Sequence, residues 1–383
     1  MSAKIIFIDG ISGSGKDEQA PYVEQFFKER GYNMHSFAEP TPFLHDMIKN
    51  YRKKKKHLRS GFVNLHLFTA DREEHFGTNI EPLLSDSHNV IITRRSKFST
   101  EVYQVLEGVP LERVVEENAF YPDPDLALVF VCESGEAYRR IEERAKEKEK
   151  PISPDETIER ISALREGYIA LMQRYAQARL IIADGSPNAV STQLESHLKK
   201  FIGEPQNRAV FFDKDGVLVD NSGIASGKIP KDEIYFDLTL KGLQKLQKEY
   251  LLFIVSNQPW AARGLMPFSE IESIFRSVLS QYQERGVHFT DFDYCPHDKI
   301  EGKIVCACHK PRTGLLERLI HMYAVDVSQS YMVGDRKPDI QAGRDMGLKT
   351  CLVQTGDGYK YNYPLKPDMI AEDVNDFAAR ILE

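Results

Sequence analysis

Reactive side chains stand where predicted strands end in the second half of the chain. In an open parallel sheet, the carboxyl ends of the strands meet at one edge, where ligands bind. The side chains at this edge are a pair of acids, a hydroxyl and two further acids: Asp213 and Asp215, Ser256, Asp335 and Asp339. A lysine, Lys310, precedes a helix predicted to begin near Pro311 and can join them. We therefore expect these groups to form one site.

This set is sufficient for the hydrolysis of a phosphate ester. Asp213 can attack phosphorus, which divides the reaction into two easier steps. Asp215 can protonate the leaving oxygen and then deprotonate the attacking water. Because carboxylates repel a phosphate, Mg²⁺ with oxygen ligands must bridge them, while Ser256 and Lys310 hold the remaining phosphate oxygens. An Asp-x-Asp-Gly motif alone is also a common turn, but four elements in order favour the catalytic interpretation.

Three of the five cysteines lie close together, near a histidine. The group consists of Cys295, His297, Cys306 and Cys308. Three thiolates and an imidazole form the closed tetrahedral set of a structural Zn²⁺ site. Since the group ends two residues before Lys310, a bound Zn²⁺ would fix the loop that carries this lysine. The alternative is a loop with reduced, unligated cysteines, because five cysteines are too few for a disulfide framework.

The first half of the chain contains a phosphate-binding loop motif. Residues 10–16, with the sequence GISGSGK, follow a predicted strand and precede a predicted helix. The backbone around Gly10, Gly13 and Gly15 would cradle phosphates, with Lys16 as a point charge. Asp17 stands where such a loop usually has Ser or Thr for Mg²⁺. This carboxylate can ligate Mg²⁺ directly, but its charge also repels a triphosphate such as ATP. The alternative is a glycine-rich turn without a ligand.

Composition and charge narrow the class of protein. The chain has 383 residues, enough for two domains, with 42% hydrophobic and 28% charged residues, as in soluble globular proteins. A net charge of −7 gives no general attraction to nucleic acid or anionic membranes. Residues 52–56 (RKKKK) could track a nucleic-acid or nucleotide backbone, but a solvated helix face is favoured. Without a membrane-length apolar run or a signal peptide, we expect a cytoplasmic protein.

The hydrophobic pattern predicts an α/β fold with parallel strands in two domains. The predicted strands are 4–9, 89–93, 126–132 and 180–184 in the first half, and 209–213, 251–256, 331–334 and 349–354 in the second. A helix over residues 188–201 closes the first half, and the polar segment 203–207 is predicted to be a linker. The predicted domains are therefore residues 1–202 and 208–383.

The second domain resembles the haloacid dehalogenase superfamily from residue 209 to about 356. Within it, the similar branch contains D-glycero-D-manno-heptose 1,7-bisphosphate phosphatase and histidinol-phosphate phosphatase. The resemblance is carried by residues 213–217, 256–258, 262–264 and 330–335, together with the cysteine and histidine group. It implies a Rossmann-like fold, Asp213 as nucleophile, Asp215 as acid and base, and Mg²⁺ on Asp213, Asp215 and Asp335. We place Asp339 with these candidate metal ligands.

The same resemblance suggests substrate contacts. Asn257 and Arg263 follow the strand that ends in Ser256 and are candidate substrate residues. His309 is another, at a position where the family commonly has an arginine that helps to select the substrate in heptose-bisphosphate phosphatases. The resemblance therefore implies a small phosphorylated substrate, without fixing which one.

The first domain resembles thymidylate kinase over roughly residues 4–200. Beyond the phosphate loop, the resemblance is carried by residues 39–41, 67–75, 94–99 and 124–126 and by an arginine-rich helix. It implies that Phe68 stacks on a base, that Arg72 and Arg95 hold an acceptor phosphate, and that Arg140 and Arg144 meet the transferring group. The Glu-Pro and Arg-Ser segments also resemble deoxynucleoside kinases, in which Glu39 would be the base for a ribose hydroxyl. Phe68 could instead belong to the core, and the arginines to a solvated surface.

Three departures from thymidylate kinases concern the first domain: Ser12, Asp17 and Arg94 replace the expected loop acid, hydroxyl and aspartate. The sequence accordingly predicts a two-domain enzyme, a phosphatase of small phosphorylated metabolites fused to a nucleotide or nucleoside kinase-like domain. One alternative is a polynucleotide kinase–phosphatase. Another is a phosphatase regulated by a nucleotide-binding pseudokinase domain. The sequence identifies neither the oligomeric state nor the substrates.

Overall fold

Each half of the chain builds its own parallel sheet. The computed structural model describes residues 2–54, 56–149, 151–221 and 234–382. The chain divides into two units, Met1–Phe201 and Ile202–Glu383. In the described residues, every helix is too short or too polar to cross a lipid bilayer.

The first unit is a five-stranded sheet with helices between its strands. Its strands are β1 (Lys4–Gly10), β2 (Asn33–Ala38), β3 (Asn89–Arg94), β4 (Leu126–Val131) and β5 (Ala178–Ile182), in the spatial order β2-β3-β1-β4-β5. The helices are α1 (Lys16–Lys28), α2 (His45–Arg52), α3 (Gly61–His75), α4 (Lys97–Leu106), α5 (Leu111–Glu117), α6 (Ser134–Glu147), α7 (Ile158–Met172) and α8 (Pro187–Ile202). All strand pairs are parallel.

The central strands of this unit are almost wholly apolar and buried. Every residue of β4 is buried, as are all but the first residue of β1. Such runs are typical of parallel strands covered by helices on both faces. Because β1 is central, its carboxyl end places the phosphate loop in the middle of the sheet edge.

The second unit is a six-stranded sheet. Its strands are β6 (Ala209–Phe212), β7 (Leu251–Asn257), β8 (Asp291–Cys295), β9 (Tyr331–Gly334), β10 (Lys349–Val353) and β11 (Met369–Ala371), in the spatial order β11-β10-β9-β6-β7-β8. The helices are α9 (Phe236–Leu246), α10 (Phe268–Gln283), α11 (Gly314–Met322), α12 (Lys337–Asp345) and α13 (Val374–Leu382). The pairs in this sheet are also parallel.

The order of the strands explains why the predicted site forms. β6 lies between β7 and β9, so the three strands that precede Asp213, Ser256 and Asp335 are neighbours. The buried strand β6 sends Phe211 to one core and Phe212 to the other. The two-domain α/β fold is thus confirmed. The eight strands for which residue ranges were predicted begin and end within two residues of the observed bounds.

Three features of the sheet and its helices differ from the predictions. Strands β8 and β11 were not expected, and β2 was indicated only as a strand-like run before Glu39, without bounds. Helix α11 begins at Gly314, not near Pro311, because Gly314 N–H donates to Ala307 O (3.0 Å) and Arg312 N–H donates to His309 O (2.9 Å). These bonds form a turn that ties the beginning of the helix to the cysteine loop.

Candidate functional site

The loop after β6 is folded tightly against Asp335. Asp213 N–H donates to Val333 O of β9 (2.9 Å), which aligns the ends of the two strands. Gly216 has a φ of 90°, and a Cβ at this position would lie 2.3 Å from Asp335 Oδ2. Only glycine combines this backbone conformation with so close an approach. The glycine of the Asp-x-Asp-Gly motif is therefore required by the geometry of the site.

Lys310 lies at the centre of the buried acids. Its Nζ is 2.9 Å from Asp213 Oδ1, 2.6 Å from Asp339 Oδ1 and 2.8 Å from the carbonyl oxygen of Val255. Burial alone would lower the pKa of this lysine, but Asp213 and Asp339 raise it above its usual value. Lys310 therefore stays charged and can hold both an acid and a phosphate oxygen.

Three carboxylates form a candidate magnesium site. Oxygen atoms of Asp213, Asp335 and Asp339 all lie within 4.8 Å of one another, and all three residues are buried. Among the residues that the structure describes, Asp335 Oδ1 is buried and has no hydrogen-bond partner. Burial, followed by the charges of the other two acids, raises the pKa of Asp335. A divalent cation would satisfy the unpaired oxygen and offset the repulsion, so the residues fit Mg²⁺.

Asp215 lies apart from this carboxylate group, unlike its predicted place among the metal ligands. Its Oδ1 is 2.6 Å from Lys214 Nζ, and its Oδ2 accepts a hydrogen bond from Gln258 Nε2 (2.6 Å). Among the described residues, the carboxylates grouped with Asp335 are those of Asp213 and Asp339, and the carboxylate of Asp215 is not part of this group. Burial raises the pKa of Asp215, which suits a residue that must carry a proton. The geometry therefore favours the acid and base role over metal binding by this carboxylate.

Asn257 contacts the backbone of Lys310. Its Oδ1 accepts from Lys310 N–H (2.9 Å), and its Nδ2 donates to Lys310 O (3.1 Å). This pair of bonds joins the end of β7 to the loop before α11. Asn257 also lines a cleft that Asp213 and Lys310 border, and this place is compatible with the predicted substrate contact.

The group of Asp213, Asp339 and Lys310 opens into a cleft with a charged rim. Besides Asp213, Ser256 and Lys310, the lining residues include the predicted substrate residues Arg263 and His309. Arg263 is paired through two nitrogens with Asp298 at 2.7 and 2.9 Å, an acid that sequence analysis did not single out. The ring nitrogen Nδ1 of His309 is 3.0 Å from His297 O, next to the cysteine group.

The cysteine and histidine group is assembled as predicted. Ligand atoms of Cys295, His297, Cys306 and Cys308 lie within 4.8 Å of one another. The sulfur of Cys308 is 3.2 Å from that of Cys295 and 3.5 Å from that of Cys306, and 3.3 Å from His297 Nδ1. Tetrahedral Zn²⁺ with thiolate bonds of about 2.3 Å would separate such atoms by about 3.8 Å. The donor set therefore fits Zn²⁺ after a small outward adjustment.

The phosphate loop has the backbone that its glycines allow. Gly13 and Gly15 have φ angles of 78° and 77°. A Cβ at Gly10 would lie 2.1 Å from Phe130 O, and one at Gly13 would lie 2.3 Å from Ala137 O. Lys16 is buried, and its Nζ donates to Ile11 O (3.3 Å). Burial, with Arg95 and Arg144 nearby, lowers its pKa to about 8.

The arginine-rich helix α6 faces the same cleft as the phosphate loop. Arg140 and Arg144 line it together with Asp17 and Lys16, a place compatible with their predicted contact with the transferring group. Arg140 Nε also donates to Glu136 Oε1 (2.7 Å), so part of its charge is already balanced. The structure thus brings the predicted nucleotide-binding residues together.

The predicted acceptor residues fall into two groups. Phe68 and Arg95 line a second cleft of the first unit, with Tyr103 and Gln104. Glu39 and Arg72 instead form a buried ion pair, with Arg72 Nε donating to Glu39 Oε1 (2.9 Å) and both side chains wholly inaccessible. Arg72 also donates to Thr100 Oγ1 (2.8 Å). Glu39 and Arg72 are paired in the interior and do not line the cleft that contains Phe68, whereas the resemblance implied that both contact substrate.

The basic run is only partly described. Helix α2 ends at Arg52, and Lys53 and Lys54 are exposed, as a solvated surface would be. Arg52 also lines the cleft that contains Phe68. Lys55 lies outside the described residues, and so does the side chain of Lys56.

Comparisons with known proteins match each unit to a different family. A thymidylate kinase family model matches residues 8–194, and a HAD-hydrolase-like model matches residues 307–377. The probable thymidylate kinase of Pyrococcus horikoshii is 29% identical over 204 residues, 52% of this chain and 97% of that protein.

The second unit has relatives of higher identity. The D-glycero-beta-D-manno-heptose-1,7-bisphosphate 7-phosphatase of Haemophilus ducreyi is 33% identical over 177 residues, 44% of this chain and 95% of that protein. A crystal structure of D,D-heptose 1,7-bisphosphate phosphatase from B. bronchiseptica, complexed with magnesium and phosphate, is 29% identical and covers 46% of this chain and 98% of that one, with a TM-score of 0.41. The chain thus joins a thymidylate-kinase-like unit to a phosphatase unit, through which it belongs to the family of D-glycero-D-manno-heptose-1,7-bisphosphate 7-phosphatases.

Proposed function

We propose that the second unit is a magnesium-dependent phosphatase that forms an aspartyl-phosphate on Asp213. The observation that carries this proposal is the buried arrangement of Lys310 between Asp213 and Asp339. Beside them lies Asp335 Oδ1, which has no hydrogen-bond partner in the described part of the chain. A buried nucleophile beside a fixed cation, with acids that fit Mg²⁺, is suited to binding a phosphate dianion.

In the first step, a carboxylate oxygen of Asp213 bonds to phosphorus as the ester P–O bond breaks. Asp215 gives its proton to the leaving oxygen, so the product leaves as an alcohol. In the second step, Asp215 takes a proton from water, whose oxygen bonds to phosphorus as the bond to Asp213 breaks. The products are inorganic phosphate and the original carboxylate of Asp213.

The remaining residues bind and orient the phosphate. Lys310 and the Ser256 hydroxyl offer donors to its non-bridging oxygens, and both residues line the cleft. When bound to Asp213 and Asp335, Mg²⁺ would supply positive charge against the phosphate oxygens. Asp339 holds Lys310 from the other side and is a further oxygen donor at this site.

The substrate we propose is a small sugar phosphate. Support comes from the names of the relatives, which act on heptose bisphosphates, and from a cleft with cationic groups at its rim. To contact the substrate, Arg263 would have to break its hydrogen bonds with Asp298. His309 lines the same cleft.

For the cysteine group we propose a structural Zn²⁺ site. Its support is the close approach of three sulfurs and one imidazole, a closed donor set without an open position. Thiolate ligands persist in reducing compartments, so a cytoplasmic location is part of this proposal.

For the first unit we propose nucleotide binding at the phosphate loop, in a kinase-like domain. The support is the shared cleft of Lys16, Asp17, Arg140 and Arg144. Transfer from ATP would require Asp17 to act as a metal ligand. A regulatory role without transfer would follow if its charge prevents triphosphate binding.

The test is Asp213→Asn in the full chain, assayed against a panel of sugar, nucleotide and amino-alcohol phosphates with Mg²⁺. Turnover should fall to roughly a thousandth of wild type or less, because an amide cannot replace the nucleophile. Asp345→Asn, which changes an exposed acid on α12, is the matched control and should keep full activity. Near wild-type turnover by Asp213→Asn, or full activity in EDTA, would contradict the proposal.

A further inference from the structure

Gln258 connects two catalytic groups through one amide nitrogen. Its Nε2 donates to Asp215 Oδ2 (2.6 Å) and to Ser256 Oγ (3.1 Å). The side chain is 4% exposed, so it makes these bonds with little competition from water. Its backbone N–H donates to Cys295 O (2.7 Å), which fixes the residue to β8.

The indole of Trp260 determines which way this amide points. Trp260 Nε1 donates to Gln258 Oε1 (2.9 Å), and the ring is 6% exposed within the apolar core beside the cleft. An indole N–H can only donate, so it must face the oxygen end of the amide. The nitrogen end must then face Asp215 and Ser256. If the amide turned over, its oxygen would face a carboxylate and its nitrogen would face a second donor.

We propose that Gln258 is a positioning residue for the acid Asp215, and that Trp260 fixes the orientation of Gln258. Trp260 thus acts on the reaction through two hydrogen bonds without touching the reacting atoms. The inference rests on the proposed phosphatase reaction. It concerns the step in which Asp215 gives a proton to the leaving oxygen.

Leaving groups of different basicity provide the test, because a good leaving group needs little protonation. Phenyl phosphate and p-nitrophenyl phosphate are of similar size, but phenolate is the poorer leaving group. The value of kcat/KM reports the step that forms the aspartyl-phosphate, so it should be measured for both esters. The variants are Gln258→Leu, Trp260→Phe and the double variant, all in the full chain.

Loss of positioning should depend on the leaving group. For Gln258→Leu we expect kcat/KM to fall at least about tenfold more for phenyl phosphate than for p-nitrophenyl phosphate. Trp260→Phe keeps an aromatic ring but removes the N–H donor, and kcat/KM should again fall more for phenyl phosphate, with a smaller loss than in Gln258→Leu. The double variant should be no worse than Gln258→Leu within about twofold, because both changes break one chain of contacts.

Tyr323→Phe is the matched control. It removes one polar group from another buried aromatic side chain, whose hydroxyl donates to Asp291 Oδ2 (2.8 Å), and should leave both kcat/KM values unchanged. Equal losses on the two esters, additive losses in the double variant, or no loss would each overturn the inference. If Gln258→Leu does not fold, Trp260→Phe decides by the same leaving-group comparison. Near wild-type turnover by Asp213→Asn would refute the proposed reaction itself, whereas these outcomes refute only the positioning role.

Discussion

Lys310 Nζ lies 2.9 Å from Asp213 Oδ1, so the proposed nucleophile is paired with a buried cation. The same nitrogen contacts Asp339 Oδ1 at 2.6 Å. One lysine therefore balances two of the three acids that form the candidate magnesium site. Its removal should affect both stability and chemistry.

Lys310→Met tests this double role. Because the substitution leaves buried acids without their cation, the free energy of unfolding of the second unit should fall by about 3 kcal/mol or more. The value of kcat/KM should fall at least about a hundredfold, since a donor to the phosphate is also lost. Urea unfolding and steady-state kinetics with p-nitrophenyl phosphate measure the two effects. Lys337→Met, at an exposed position on α12, is the control and should change neither quantity. A fully active Lys310→Met would remove the lysine from the mechanism.

Zinc content is the second prediction. The purified chain should contain about one Zn²⁺, and Cys306→Ser should lose it and melt at a lower temperature. Phosphatase activity should fall as well, because Cys308 is two residues from Lys310 and the loop would loosen. Elemental analysis and thermal melting under reducing conditions are the measurements.

The control for zinc binding is Cys132→Ser in the first unit, which changes a buried thiol far along the chain from the four proposed ligands. This variant should keep its zinc. A wild-type chain that is zinc-free after purification without chelators would contradict the site.

Much of the second unit could be predicted because its candidate catalytic residues lie at the carboxyl ends of its strands. Asp213, Ser256 and Asp335 each come at or just after the end of an apolar run, so strand prediction also places the site. Strand β8 was missed because its sequence, DFDYC, alternates acids with aromatic residues. Strand β11 has only three residues, too few for a periodic signal.

Contacts between loops were the part that the sequence could not predict. Nothing in the spacing of Gln258 and Trp260 shows that their side chains meet, since this depends on the conformation of the loop after β7. The same holds for Arg263 and Asp298, which are 35 residues apart in sequence. Glu39 and Arg72 were predicted to contact substrate, but in the structure they form an ion pair with each other, and both side chains are buried. Arg263, Glu39 and Arg72 could be recognised as candidates, but their partners could not be predicted, and Asp298 and Trp260 were not singled out at all.

Separation of the two units is the third prediction. A cut between residues 203 and 207 follows the boundary after Phe201, and each unit has its own sheet and core. Residues 208–383 expressed alone should be soluble and should hydrolyse p-nitrophenyl phosphate with the kcat/KM of the full chain. An insoluble or inactive fragment would show that the second unit depends on the first.

The fourth prediction concerns the charge of Lys16. Burial, with Arg95 and Arg144, lowers its pKa to about 8, so Lys16 loses its charge as the pH rises through this value. Binding of pyrophosphate, which favours the charged form, should therefore weaken by up to about tenfold per pH unit above pH 8. Calorimetry at about pH 8.5, repeated in buffers of different ionisation enthalpy, should detect proton uptake on binding. Lys16→Met should bind weakly at every pH and take up no proton. Pyrophosphate affinity that does not change between pH 7.5 and 9 would contradict the lowered pKa.

The final prediction concerns Asp17, the first acid of α1, which lines the phosphate-loop cleft. A carboxylate about 4 Å from a phosphate charge adds a repulsion of about 4 kcal/mol at an effective dielectric constant of about 20. Direct coordination of Mg²⁺ by Asp17 would offset part of this repulsion. We expect repulsion to dominate, with weak ATP binding and slow or absent transfer.

Asp17→Thr should then tighten the binding of ATP in the presence of Mg²⁺, because it removes the charge and restores a neutral hydroxyl for the metal. Calorimetry of both proteins with Mg-ATP is the measurement, and Asp46→Asn, at an exposed acid on α2, is the control that should leave the affinity unchanged. Without Mg²⁺ the gain from Asp17→Thr should persist, since relief of repulsion does not require the metal. If wild type instead binds Mg-ATP at micromolar concentration and phosphorylates a nucleoside or nucleotide, Asp17 acts as a metal ligand. Asp17→Thr would in that case weaken or preserve binding, and the first unit would be an active kinase.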